Sequence, residues 1–190
     1  MLDFIHYGLL AGLAIALLFA AFTDIRRRQI DNWLNAAIAL GAPVFWWSQG
    51  LSPWPDIALQ FGVALLAFAI LAGLFALRVM GGGDVKLLTA LALWIEPALF
   101  VQLLVMMALA GGVLTVVMGS WHLMRRRRER LAIPYGVAIA IGGLWVLGAH
   151  YLPEAGRQAA PAVVAHGAAA VSAETAASFP TGAAAGSTRS

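Results

Sequence analysis

The chain is a succession of apolar runs, each close to the length of a bilayer-spanning helix, separated by short polar clusters. A spanning helix needs about 20 apolar residues, with a usual range of about 17 to 25. On that ruler six spans are expected, at about Ile5–Phe22, Trp33–Trp47, Ile57–Leu77, Val85–Ile95, Ala98–Leu123 and Ile133–Tyr151. The expected fold class is therefore all-α, a polytopic membrane helical bundle. Composition agrees, since only 11% of the residues are charged and 62% are hydrophobic. A soluble domain carries roughly 25% charged residues, so this chain lacks the polar surface to face water.

The fourth run is too short for its place. Eleven residues at about 1.5 Å each cover only about half of a hydrocarbon core of about 30 Å. Either Gly81–Gly83 lie within the polar edge of the membrane, or the bilayer thins locally. Both readings put Asp84 deeper than an ordinary loop residue. The first run has no preceding Lys or Arg and no small-residue cleavage site, so it reads as a spanning helix rather than a signal peptide.

Basic residues give the orientation. Arg26–Arg28, Arg78, Lys86, Arg125–Arg128 and Arg130 all fall on one side, and the opposite loops hold none. By the positive-inside rule that side is cytoplasmic and both termini are extracytoplasmic. Trp46, Trp47, Trp54 and Trp94 cluster near the outer ends, as an aromatic belt would. The positive charge of +3 thus reads as a topology signal, and no nucleic-acid partner is expected. From about Leu152 the composition turns to Ala, Gly, Ser, Thr and Pro without periodicity. The expected organisation is a membrane-embedded domain over 1–152 and a disordered tail over 153–190.

With no cysteine, a thiolate metal site, a disulfide or a cysteine nucleophile is excluded. The four histidines show no HExxH spacing, and no metal or other cofactor is expected. Four of the nine carboxylates fall on the cytoplasmic side: Asp24, Asp31, Asp84 and Glu129. Glu129 sits inside an arginine run, where it balances charge. Asp31 opens the second span and reads as a helix N-cap. Asp24 follows Ala21-Phe22-Thr23 at the edge of the first span, before the arginines begin, where an ion pair with Arg27 or Arg28 is the plain alternative to a functional role.

Asp84 closes Gly81-Gly82-Gly83-Asp84 and opens the short fourth helix. Three successive glycines cost a helix about 0.8 to 1.0 kcal/mol each, so they mark a backbone that turns tightly or approaches something closely. An extended peptide could pair with such a backbone as an added strand; a glycine turn with an aspartate cap is the plain alternative. Asp24 and Asp84 lie on the same membrane face. Two carboxyls a few ångströms apart share a proton, so that one acts as base on a water and the other polarises a carbonyl.

Three stretches together resemble the type IV prepilin peptidases, GxGD-type membrane aspartic proteases. Phe22-Thr23-Asp24-Ile25 through Ile30-Asp31-Asn32-Trp33-Leu34 looks like the family's first aspartate motif. Gly81-Gly82-Gly83-Asp84-Val85-Lys86-Leu87 looks like GxGDxK, and Ile133-Pro134-Tyr135-Gly136 like the start of the last span. The resemblance implies that Asp24 and Asp84 are the catalytic pair. It gives Gly81, Gly82, Gly83, Lys86, Asn32, Pro134, Tyr135 and Gly136 substrate-binding or supporting roles. It also implies a substrate: prepilin or pseudopilin subunits, whose basic leader is cut at the cytoplasmic face of the bacterial inner membrane, just before the hydrophobic helix.

Two departures stand out. Asp31 occupies a position where the family usually has proline, and Asp31→Asn is expected to leave substantial activity. The cysteine-rich N-terminal domain of the longer, bifunctional enzymes is missing, so N-methylation of the mature subunit is not expected. The short form resembles the peptidases of Flp-type, tight-adherence pilus systems. Beside membrane lipid and this substrate the sequence names no partner, and it leaves the oligomeric state open. Two rival functions stay open: a transporter or channel component using Asp24 and Asp84 as a proton relay or cation site, and a non-catalytic pilus or secretion assembly subunit.

Overall fold

The computed structural model describes residues 2–124 and 134–151. The expected tail over 153–190, the Arg125–Arg130 cluster and Glu129 lie outside the described residues. So does the side chain of His122.

Six α-helices follow the six apolar runs: α1 (Leu2–Arg27), α2 (Asn32–Gln49), α3 (Ala58–Ala76), α4 (Gly82–Ala92), α5 (Pro97–Met124) and α6 (Tyr135–Val146). Short wide turns at Pro53–Ile57 and Leu147–Tyr151 flank α3 and α6. Among the described residues every regular element is helical. Three helical stretches, Phe4–Arg27, Pro53–Ala76 and Pro97–Trp121, are long and apolar enough to cross a membrane.

Helix α4 is the centre of the unit Met1–Ala149, packing on α2, α3, α5 and α6, while α1 packs on α2 and α6. Leu17, Leu87, Leu88, Leu91, Ile139 and Val146, from α1, α4 and α6, are wholly buried. The outward faces of α3 and α5 carry exposed Leu, Val and Phe such as Leu65, Phe68, Val105 and Leu109. In lipid, apolar transfer gives helices no reason to associate, so close packing has to do it, and small residues permit that. A Cβ at Gly142 would lie 2.8 Å from the carbonyl oxygen of Leu103, and one at Gly143 would lie 2.7 Å from Leu17. These two glycines let α6 press against α5 on one side and α1 on the other.

The short α4 ends inside the protein, and its end is answered by side chains. The last carbonyls of a helix have no partner within it, and in a membrane each must find one internally. Gln60 Nε2 donates to the carbonyls of Ala92 (2.8 Å) and Ile95 (2.6 Å). Trp46 Nε1 donates to the carbonyl of Leu93 at 2.8 Å. Trp94 in turn donates from Nε1 to the carbonyl of Ile38 at 2.6 Å, its ring against Gly41 and stacked on Phe45.

This corrects the aromatic belt in part. Trp47 and Trp54 are exposed, but Trp46 and Trp94 are buried. Their indole N–H groups are donors to backbone carbonyls, Trp46 to Leu93 past the end of α4 and Trp94 to Ile38 of α2, rather than to the membrane edge.

Candidate active site

Helix α1 runs through Asp24 to Arg27 and is stopped by Arg28, which takes the left-handed conformation (φ 54). Asp24 thus stands on the last full turn of a rigid element, and its side chain is buried. One of its oxygens, Oδ2, accepts the backbone N–H of Gly136 at 2.7 Å. Gly136 is in the first turn of α6, where N–H groups have no helical partner and the helix dipole favours a negative group. The plain alternative, Asp24 held by a neighbouring arginine, gives way to this contact across the bundle. Arg28 does hydrogen-bond Asp24, but through its backbone N–H to the Asp24 carbonyl, at 2.8 Å.

The three glycines divide their work. Gly81 is the N-cap of α4, with extended φ −74 and ψ 145, and Gly82 and Gly83 begin the helix itself. They therefore form less of a loop than the sequence suggests, and close approach accounts for them. A Cβ at Gly82 would lie 3.2 Å from the ring of Phe75, and one at Gly83 would lie 3.3 Å from Cβ of Ile30. Asp84, expected as the cap, is three residues further in. Its carboxyl reaches back to the Gly81 backbone N–H, the acid half of a capping box. A Cβ at Gly81 would meet its Oδ2 at 2.9 Å.

Asp84 is buried, and it precedes the fourth apolar run, outside the three spanning stretches. Burial pushes its carboxyl up to about 6, the Asp24 charge adds to the rise, and the Gly81 N–H opposes it. Asp24 and Asp84 both line two clefts. One, of about 410 Å³, has a polar wall that includes Gln29, Asp31, Asn32 and Gly81–Gly83. The other, of about 670 Å³, is walled by Phe75, Ala76, Val79, Met80, Arg78 and Tyr135. Asp24, Arg28, Gly81 and Asp84 are the boundary the clefts share.

Each residue named from sequence has a place here. Lys86 Nζ donates to Asn32 Oδ1 at 2.8 Å, tying α4 to the start of α2. Pro134 precedes α6 as its N-cap, Tyr135 walls the larger cleft and Gly136 holds Asp24. Asp31 does sit at the N-cap of α2, but its side chain makes no cap hydrogen bond. Sequence reasoning missed Phe75 and Met80, apolar residues with nothing to mark them, and gave Ile30, quoted within the first motif, no role of its own. It also missed Gln60, whose signal was there: a lone amide in an apolar span. Among the described residues, no group of three His, Asp or Glu is placed to hold a metal ion.

Fold and site together define a multi-pass helical membrane protein with two buried carboxyls at one helix-end cleft. Residues 11–118 match the model of the type IV leader peptidase family, and the chain belongs to that family. It is a leader-peptidase-like protease by that membership. No curated protein and no solved structure matches it. The matched stretch holds Asp24 and Asp84 but not Gly136, which reaches the site by its hydrogen bond alone.

Proposed function

We propose that the protein is an aspartic endopeptidase of the bacterial inner membrane. It removes the basic leader of prepilin-like or pseudopilin subunits at the cytoplasmic face. The observation that carries this is the convergence of Asp24 and Asp84 from α1 and α4 on the same two clefts, both side chains buried. Such a pair shares one proton.

In the reaction, Asp24 is the base. It takes a proton from a water between the carboxyls as that water attacks the scissile carbonyl. The Gly136 N–H fixes the carboxylate in orientation while this happens. Asp84 holds the shared proton, hydrogen-bonds the carbonyl oxygen as it gains negative charge, and the pair then protonates the leaving amine. No covalent intermediate forms. The smaller, polar cleft suits the leader, and the larger cleft, with Phe75, Val79 and Met80 on its wall, suits the first residues of the substrate's hydrophobic helix.

The test is co-expression with a prepilin substrate, following leader removal by gel shift. Asp24→Asn and Asp84→Asn are each expected to abolish cleavage while the protein still inserts and accumulates. Normal cutting by either variant overturns the pair.

A further inference from the structure

Among the described residues Asp31 is the one acid lining the polar cleft that the reaction above does not use. Its backbone is fixed: its carbonyl accepts the N–H groups of Leu34 (3.2 Å) and Asn35 (3.3 Å), closing the first turn of α2. Its side chain is not. At φ −64 and ψ 137 it has N-cap geometry, yet no cap hydrogen bond is made. Lys86 donates to Asn32 Oδ1 instead of to Asp31. Among the described residues the half-buried carboxylate has no hydrogen-bond or ion-pair partner.

Charge in the cleft gives that free carboxylate a consequence. The other charged groups lining it are Asp24, Asp84 and Arg28. With one proton shared by the pair, those three balance, and Asp31 adds an unpaired negative charge to the wall, the Lys86 ammonium being turned to Asn32 Oδ1. A carboxylate on a cleft wall beside the reacting groups attracts a cation that arrives with the substrate. The larger cleft has Arg28 and Arg78 beside the same pair and otherwise Phe75, Val79, Met80 and Tyr135, so it favours a cation less.

We propose that Asp31 is a specificity-determining residue: it pairs with a Lys or Arg side chain on the leader side of the scissile bond and so sets the direction in which the substrate lies across Asp24 and Asp84. The inference rests on the endopeptidase reading and deepens it. It also assigns a role to a position where this chain departs from the proline usual in the proteins it resembles. An ion pair there is compatible with Asp31→Asn retaining substantial activity, because its loss weakens binding of the leader and leaves the reacting carboxyls in place.

The test uses the full chain in detergent micelles and three polypeptide substrates with one apolar helix and one cleavage site. Their leaders differ only in carrying Lys, Gln or Glu at the positions before the cut. In the unaltered protein the Lys leader has the highest kcat/KM. In Asp31→Asn the ratio of Lys-leader to Gln-leader kcat/KM falls about fivefold, the worth of a partly exposed ion pair, and the fall lies in KM rather than kcat. In Asp31→Lys the order inverts, with the Glu leader cut better than the Lys leader. The ratio is internal to each variant, so a loss of folded protein does not change it. An unchanged ratio in both variants overturns the role of Asp31 and leaves the endopeptidase standing. No cutting of any leader by the unaltered protein overturns the endopeptidase, and this proposal with it.

Discussion

The backbone N–H of Gly136 donates to Oδ2 of Asp24 across 2.7 Å, joining residues 112 apart in the chain. The contact needs a glycine. An added Cβ at position 136 would lie 2.8 Å from Oδ2, 2.9 Å from Cβ and 3.0 Å from Cγ of Asp24. Real Cβ atoms do not come so near, and here the neighbour is the carboxylate itself. Gly136→Ala is therefore expected to displace Asp24 and to lower kcat by about 10- to 100-fold, the upper figure being what a misplacement of about 1 Å costs a reacting group. Gly112→Ala is the control, because beyond its chain neighbours and the backbone of its own helix no described atom lies within 4 Å of a Cβ there, and its kcat should match that of the unaltered protein. Equal rates for both variants would detach Gly136 from the site.

The Lys86–Asn32 hydrogen bond holds the second turn of α4 against the first turn of α2, and so fixes two walls of the polar cleft relative to each other. It is exposed, so its worth is modest, about 1 kcal/mol for a charge-assisted bond in water's reach. Lys86→Met and Asn32→Ala should each lower kcat/KM about five- to tenfold, and the double variant should be no worse than the poorer single. That non-additivity, measured as a double-mutant cycle, distinguishes one shared bond from two separate contributions. Additive losses would deny the bond a role.

Six apolar runs, two isolated acids at the ends of such runs and a glycine-marked helix start were legible in the sequence because each is a local signal. Apolar length gives spans, and Asp24 and Asp84 stand out where polar residues are few. What was not legible depends on which helices touch. Asp31 has the sequence of an N-cap and sits at the N-cap position, but whether its side chain closes the cap is a matter of one torsion. Trp46 and Trp94 have the sequence of membrane-edge tryptophans, and only the early end of α4 turns them inward as donors. Gly136 lies beyond the stretch that matches the family. Its tie to Asp24 comes from α6 packing on α1 through Gly143 and Leu17, which no spacing along the chain encodes.

Gln60 is the strongest test of how the short α4 is tolerated. Its amide donates to two carbonyls, those of Ala92 and Ile95, from a buried position. Gln60→Leu keeps the side chain's size and removes both donors. Side-chain hydrogen bonds inside membrane proteins are worth about 0.6 to 2 kcal/mol each, so the variant should lose about 1 to 3 kcal/mol, read as a lower thermal midpoint in detergent. Trp46→Phe removes a single donor, to Leu93, and should lose less. An unchanged midpoint for Gln60→Leu would mean that the end of α4 finds other donors.

Asp84 makes the protein's stability and its activity depend on pH in the same window, with signs that can be worked out. Its folded-state carboxyl is raised from 3.8 to about 6, chiefly by burial and then by the Asp24 charge. Unfolded chains therefore lose this proton first as pH rises. Between about 4 and 6 the folded state binds more protons than the unfolded state, and stability falls with rising pH through that range. Above about 6 the full cost is present. Asp84→Asn removes the ionisation, so the variant should melt above the unaltered protein at pH 8, by on the order of 1 to 3 kcal/mol, and the advantage should fade by pH 4. Activity takes the other side of the same titration. The reaction needs the shared proton, so kcat/KM of the unaltered protein should decline as pH rises above about 6, approaching tenfold per unit. A rate that holds level to pH 9, together with no pH-dependent gap in melting between the two proteins, would mean that Asp84 carries no proton for the pair to share.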